Sequence, residues 1–182
     1  NNSKFNLTGG INFYDSFVDI KNSDFSKSYS EDMLNLIHSK FNISNCNFSN
    51  NSSDAIDSDY SEGQISGSTF QNVKGDAIDT SGSSVIISDV SINNVVDKGI
   101  SVGEKSNVKV INTSIFNTSI GIASKDSSIV NGNNLIIKKS KKYDLASYNK
   151  KKIFNGGNID ISNVKSDKKF LSKNKSKIII NN

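Results

Sequence analysis

The stretch Asp54-Ala55-Ile56-Asp57 returns as Asp76-Ala77-Ile78-Asp79 and again as Lys98-Gly99-Ile100-Ser101, each copy 22 residues after the last. The pattern starts earlier, as Asp32-Met33-Leu34-Asn35, and runs on to Ile120-Gly121-Ile122-Ala123. Its third place, held by Leu34, Ile56, Ile78, Ile100 and Ile122, stays apolar throughout. Two further apolar columns follow the rhythm: Ile43, Ile65, Ile87 and Val110, then Phe48, Phe70, Ile92 and Ile115. A fixed period of roughly 20 to 50 residues marks a solenoid and outranks any local assignment.

The period also selects the kind of solenoid. Apolar and polar residues alternate within each repeat, as in Phe41-x-Ile43 and Val85-x-Ile87, which is the periodicity of a strand. Clusters of Gly, Asn, Ser and Asp separate the short runs and supply turn chemistry. A repeat of this size holds three short strands and three turns, with no room for a helix. Stacked in parallel about 4.8 Å apart, the copies make a parallel β-helix. Right-handed winding follows from the strong preference of β-crossover-β connections. The expected fold is therefore all-β, a single-stranded right-handed parallel β-helix. It has about seven to eight rungs and a length of roughly 40 Å. Residues 1–182 form one domain: a worn first rung at 1–31, regular rungs at 32–143 and basic rungs at 144–182.

Composition agrees. The apolar share, 34%, is low for a globular core, but a solenoid core is a narrow column fed by a few residues per rung. The single cysteine, Cys46, excludes an internal disulfide and a cysteine zinc site. No apolar run is long enough to span a membrane, and no signal peptide is visible. The chain opens on Asn1 in polar, strand-like sequence, which suggests part of a larger polypeptide. All 22 basic residues are lysine, so no guanidinium is present to grip a carboxylate or phosphate in two-point fashion. Residues 1–137 hold nine Lys against fifteen Asp and Glu, and residues 138–182 hold thirteen Lys against three Asp. Few aromatics interleave those lysines, so the basic end reads as a solvated edge that resists end-to-end strand pairing, and no nucleic-acid partner is expected.

Lys27, Asn50, Asn72, Asn94, Asn117 and Lys138 form a polar column. Stacked asparagines can pass amide hydrogen bonds from rung to rung and tolerate the left-handed backbone of a tight corner. His38, the only histidine, sits at another corner.

The carboxylates of the second to fourth rungs are the one constellation with chemical potential. Side chains alternate along a strand, so Ile56 and Ser58 point inward while Asp57 and Asp59 point outward. Asp79 points outward above Asp57, with Asn35 below in the column and Ser101 above. Like charges so placed need a cation, a shared proton or a positive neighbour. Lys98 stacks over Asp76 and Asp54 and is expected to pair with Asp76. Three readings follow. Asp57, Asp59 and Asp79 could hold a hard cation such as Ca²⁺. They could serve as acid and base in glycoside cleavage. Or they could form a solvated acidic face, with Asp54 and Asp76 capping turns.

The run Gly75-Asp76-Ala77-Ile78-Asp79, with Ser81-Gly82-Ser83 and Asp97-Lys98-Gly99-Ile100-Ser101-Val102-Gly103-Glu104, resembles the right-handed parallel β-helix repeats of the pectin-lyase-like superfamily. It is similar to modules of large bacterial cell-surface proteins, and the likeness covers residues 32–148. The resemblance implies the fold, a secreted or surface location in a bacterium or phage, and a polysaccharide partner. It implies lyase or hydrolase chemistry only loosely. The Gly-His-Gly and Arg-Ile-Lys signatures of polygalacturonases are missing, as is the arginine base of pectate lyases. The expected function is thus a module that binds or scaffolds polysaccharide. The alternatives are a polysaccharide lyase or glycoside hydrolase using Asp57, Asp59, Asp79 and Lys98, and a structural fibre or phage tail segment.

Overall fold

The structure, a computed structural model, describes residues 7–181, and the opening residues 1–6 of the first rung lie outside that range. Among the described residues every regular element is a strand, and every strand pairing is parallel. Among the described residues no helix is long and apolar enough to cross a membrane.

The chain winds into a three-sided coil. The first side is an eight-stranded sheet: Gly9–Tyr14, Asp32–Ile37, Asp54–Asp59, Ile78–Ser81, Lys98–Gly103, Ile120–Lys125, Tyr143–Tyr148 and Phe170–Ser172. A twelve-stranded sheet wraps the other two sides. In the early rungs those sides have separate strands, for example Glu62–Ser66 on the second and Thr69–Val73 on the third. In later rungs the two strands fuse into Asn107–Phe116, Ile129–Lys138 and Asn158–Ser166. The expectation of three strands per rung therefore holds only for the first half. Beyond it the corner residues Asn112, Asn134 and Asn163 bend a continuous strand, dropping out of the ladder themselves while pairing resumes beyond them in the same register.

The register is the one the columns predict. Ile78 pairs with Ile56 on one side and Ile100 on the other, and all three are fully buried. On the third side Phe25, Phe48 and Phe70 stack face to face, 4.7 and 4.9 Å between ring centroids. Such stacking adds to what burial of the rings contributes. Cys46 is buried beside this stack, its Sγ 3.3 Å from the Ser44 carbonyl.

The three corners are made by residues with left-handed backbone. Lys27, Asn50, Asn72, Asn94, Asn117 and Lys139 form the third corner, so its last member is Lys139, one residue beyond the expected Lys138. Asn72 Nδ2 donates to Asn50 Oδ1 at 3.0 Å and Asn94 Nδ2 to Asn72 Oδ1 at 2.7 Å. Asn117 instead donates to Asn93 Oδ1 at 2.7 Å, although Asn93 stands opposite Phe116 in the ladder. At the first corner runs a second ladder, of serines. The backbone N–H groups of Ser16, Ser39, Ser61, Ser83 and Ser106 each donate to the hydroxyl of the next serine, ending at Ser128. These serines fill the buried corner where a backbone N–H would otherwise lack a partner.

Two departures from regularity matter. Residues 149–157 make a longer excursion that packs back on the first corner. There Lys151 pairs with Glu104, and Asp126 Oδ1 accepts from the N–H groups of Lys150 and Lys151. The other departure is Asn51. It stands in register with Val73, is buried, and has neither its Nδ2 nor its Oδ1 hydrogen-bonded.

Candidate functional site

The outer surface of the first side carries two columns of polar residues. Asp32, Asp54, Asp76 and Lys98 form one column, and Asn35, Asp57, Asp79 and Ser101 form the other. Residues three apart on a strand meet across the columns, as Asn35 Nδ2 shows by donating to Asp32 Oδ2 at 3.1 Å. The first column sits where the chain enters the sheet, and it stitches rungs together. Asp54 Oδ1 accepts from the Asp76 N–H at 2.7 Å, and Asp76 Oδ1 from the Lys98 N–H at 2.8 Å. Asp54 and Asp76 thus bond to the following rung rather than closing turns of their own.

Lys98 behaves as its column suggests. Its ammonium lies 3.2 Å from Asp76 Oδ1 and 2.6 Å from Asp97 Oδ2. Burial alone would lower its pKa, but the charges and hydrogen bonds of Asp76 and Asp97 outweigh that and hold it above the ordinary lysine range. A second ammonium comes from further up the coil. Lys125, in the column of Asp59 and Ser81, reaches back past Gly103 to stand 3.7 Å from Asp79 Oδ1.

This is not a solvated acidic face. Asp32, Asp76, Asn35 and Ser101 are buried, and Asp54, Asp57, Asp59 and Asp79 are half-buried. Burial is accordingly the main influence on the carboxyls. It pushes Asp57 up to about 9, helped by the charges of Asp59, Asp32, Asp79 and Asp54. Asp54 rises to about 7 through burial and the charge of Asp76, against the pull of the Asp76 N–H. Asp32 and Asp59 are also raised, again chiefly by burial. A neutral carboxyl is the expected answer when like charges share a half-buried surface.

The predicted residues do not all come together. Asp57 and Asp79 are in register, one rung apart, as expected. Asp59 stands in the next outward column, in register with Ser81, and feels the nearby His38. Among the described residues, the three carboxylates that bring one oxygen each within 4.8 Å of one another are Asp54, Asp76 and Asp79. Only Asp79 belonged to the predicted set. The signal for the others was present in the repeated Asp-x-x-Asp, whose first aspartate reads as a turn residue until the strand entry is seen. Lys125 gave no signal, since its reach depends on the gap above Gly103.

Aromatic side chains border the carboxylates. At the first corner Tyr14 and His38 meet edge to face at 6.1 Å, and His38 stacks on Tyr60 at 5.3 Å. Tyr60 in turn lies over Gly82, where a Cβ would fall 2.7 Å from the ring. Both tyrosines are more than half exposed. A shallow hollow of about 430 Å³ lies beside them, between His38, Tyr60, Glu62 and Ser84. A larger groove, about 580 Å³, crosses the second side between Phe17, Asn42, Gln64 and Ile86, away from the carboxylates.

Parallel strands stacked at a constant register around an apolar column define a β-solenoid. Residues 9–165 match the family described as right handed beta helix region, and the chain belongs to that family. Two solved structures share its fold. One is the catalytic domain of Agl-KA, with a TM-score of 0.54 and 12% identity over 94% of this chain. The other is an alginate lyase from Paenibacillus sp. str. FPU-7, with a TM-score of 0.52 and 9% identity over 93% of this chain. The alignment spans 42% of the Agl-KA domain and 76% of the alginate lyase. Among curated protein sequences none matches this chain.

Proposed function

We propose that the protein is a β-helix module that binds polysaccharide along the outer surface of its first side. One observation carries the reading: that surface holds acceptor oxygens without donors. Among the described residues no hydrogen bond reaches either oxygen of Asp57 or the second oxygens of Asp54 and Asp79. Sugar hydroxyls are the donors that such a row suits. The alginate lyase among the fold relatives acts, by its name, on a polysaccharide. The reading fits a secreted or surface-displayed module of a larger bacterial or phage polypeptide.

Glycoside hydrolysis is a second reading, favoured by the pairing of Asp57 with Asp79. A carboxyl held neutral up to about 9 can donate a proton to a glycosidic oxygen. Asp79, beside the Lys125 ammonium, would be the partner carboxylate. Lys98 suits neither this role nor that of a lyase base, because Asp76 and Asp97 hold its proton.

Affinity electrophoresis of the protein through neutral and acidic polysaccharides tests the proposal. Retardation by at least one polymer is expected, with Asp57→Asn weakening it tenfold or more. Free migration through every polymer would sink the binding reading. Release of reducing ends, abolished by Asp57→Asn, would convert binding into catalysis.

A further inference from the structure

We infer that Asp54, Asp76 and Asp79 form a binding site for a divalent cation of the hard, oxygen-preferring kind that includes calcium. The site takes Asp79 from the column of Asp57 but leaves Asp57 and Asp59 outside it; it shares oxygens of Asp54 and Asp79 with the glycan reading and is therefore tested without glycan. Three carboxylates from two adjacent rungs converge there, with one oxygen each within 4.8 Å of the others. Convergence of acids alone is common, so the surrounding atoms decide. Ser101 is fully buried, its Oγ has no partner, and it stands in register with Asp79 on the same face of the sheet. An oxygen that is buried beside carboxylates and lacks a donor is completed by a cation or by a water held on one.

The neighbouring ammonium groups leave room for it. Lys98 touches Asp76 from the next rung and shares its charge with Asp97. Lys125 stays 3.7 Å from Asp79 Oδ1, an ion-pair distance but longer than a direct hydrogen bond. Asp54 has no ammonium partner among the described residues, and its second oxygen accepts no hydrogen bond. A dication bound to Asp54 and Asp79, with Asp76 completing the set, supplies the charge these three lack. The ligand set is all oxygen, with no imidazole or thiolate, which is the chemistry of calcium rather than zinc.

The test is calcium binding by the intact protein without glycan, measured by titration calorimetry and by terbium luminescence that calcium displaces. The wild type is expected to bind one ion per chain and to melt at higher temperature as calcium is added. Asp54→Asn and Asp79→Asn each keep a carbonyl oxygen for the local hydrogen bond and are expected to lose affinity tenfold or more. Asp59→Asn is expected to bind within twofold of wild type. Circular dichroism confirms that each variant is folded. Absence of calcium and terbium binding by the wild type would overturn the inference. So would a loss in Asp59→Asn equal to that in Asp54→Asn, which would move the ion to the outer column. Because no polysaccharide is present, failure here leaves the glycan reading standing, and the reverse holds too.

Discussion

Asp57 lies in register with Asp79 on the next rung, and among the described residues no donor reaches its carboxyl. The surface tolerates this by keeping Asp57 protonated. Its folded pKa of about 9 lies well above the ordinary carboxylate value of about 4. The sign of the pH dependence follows. Below about 4 both the folded and the unfolded chain hold the proton. Above it the unfolded chain releases the proton while the folded chain keeps it, so stability falls until the pH passes about 9. Asp54, raised to about 7, adds to the same slope over the acid half of that window. Without added calcium, the melting temperature is expected to fall steadily from mild acid towards pH 9. Asp57→Asn should flatten the curve. A wild-type curve that rises over this range would show that the carboxyl is ionised in the folded state.

Asn51 predicts a gain from substitution. Its amide is buried with both polar atoms unpaired, and its partner in the ladder is Val73. Leaving a buried polar group unsatisfied costs about 1–3 kcal/mol. Asn51→Val is expected to raise stability by about 1–2 kcal/mol in a urea titration with unchanged slope. A destabilised variant would mean that Asn51 has a partner, such as an ordered water.

The serine ladder predicts a loss. Ser83 Oγ accepts from the Ser61 N–H at 2.9 Å and donates to the Ser58 carbonyl at 2.8 Å. Ser83→Ala leaves the N–H of Ser61 buried without an acceptor, at a cost of about 1–3 kcal/mol. The amide of Ser61 should then exchange with deuterium faster than those of its neighbours. Unchanged stability would demote the ladder to a consequence of composition.

How much of this was legible in the sequence depends on whether a feature repeats within a strand or arises between elements. The apolar columns through Ile78 and Phe70, and the corner asparagines, repeat at the period itself and can be read directly. The serine ladder repeats too, at 39, 61, 83, 106 and 128, but serine is so abundant in this chain that the column hides among the others. The site was legible only in part. The alternation rule places Asp57 and Asp79 outward and in register. It says nothing of Asp54 and Asp76 at the strand entry, where the chain has just turned and alternation does not yet hold. The approach of Lys125 to Asp79 spans two rungs and depends on the missing side chain of Gly103, which no single column contains.

At the third corner the two demands on asparagine separate. Asn72 has φ of 56° and also relays an amide hydrogen bond to Asn50. Asn72→Gly keeps the backbone but cuts the relay, and Asn72→Ala cuts both, so alanine should cost about 1 kcal/mol more than glycine. Equal melting temperatures for the two variants would show that the backbone strain is absorbed elsewhere.

The parallel pairing of every rung has a mechanical consequence. The strands run across the rod, so their hydrogen bonds point along it. A pull on the two ends of the rod therefore meets these bonds end on, and the terminal rung can peel away before its neighbours bear the full load. A sideways pull on one side meets whole strands lengthwise and must shear many bonds together. Used as a tether, the rod would pay out one coil at a time, whereas loaded from the flank it would resist as a unit.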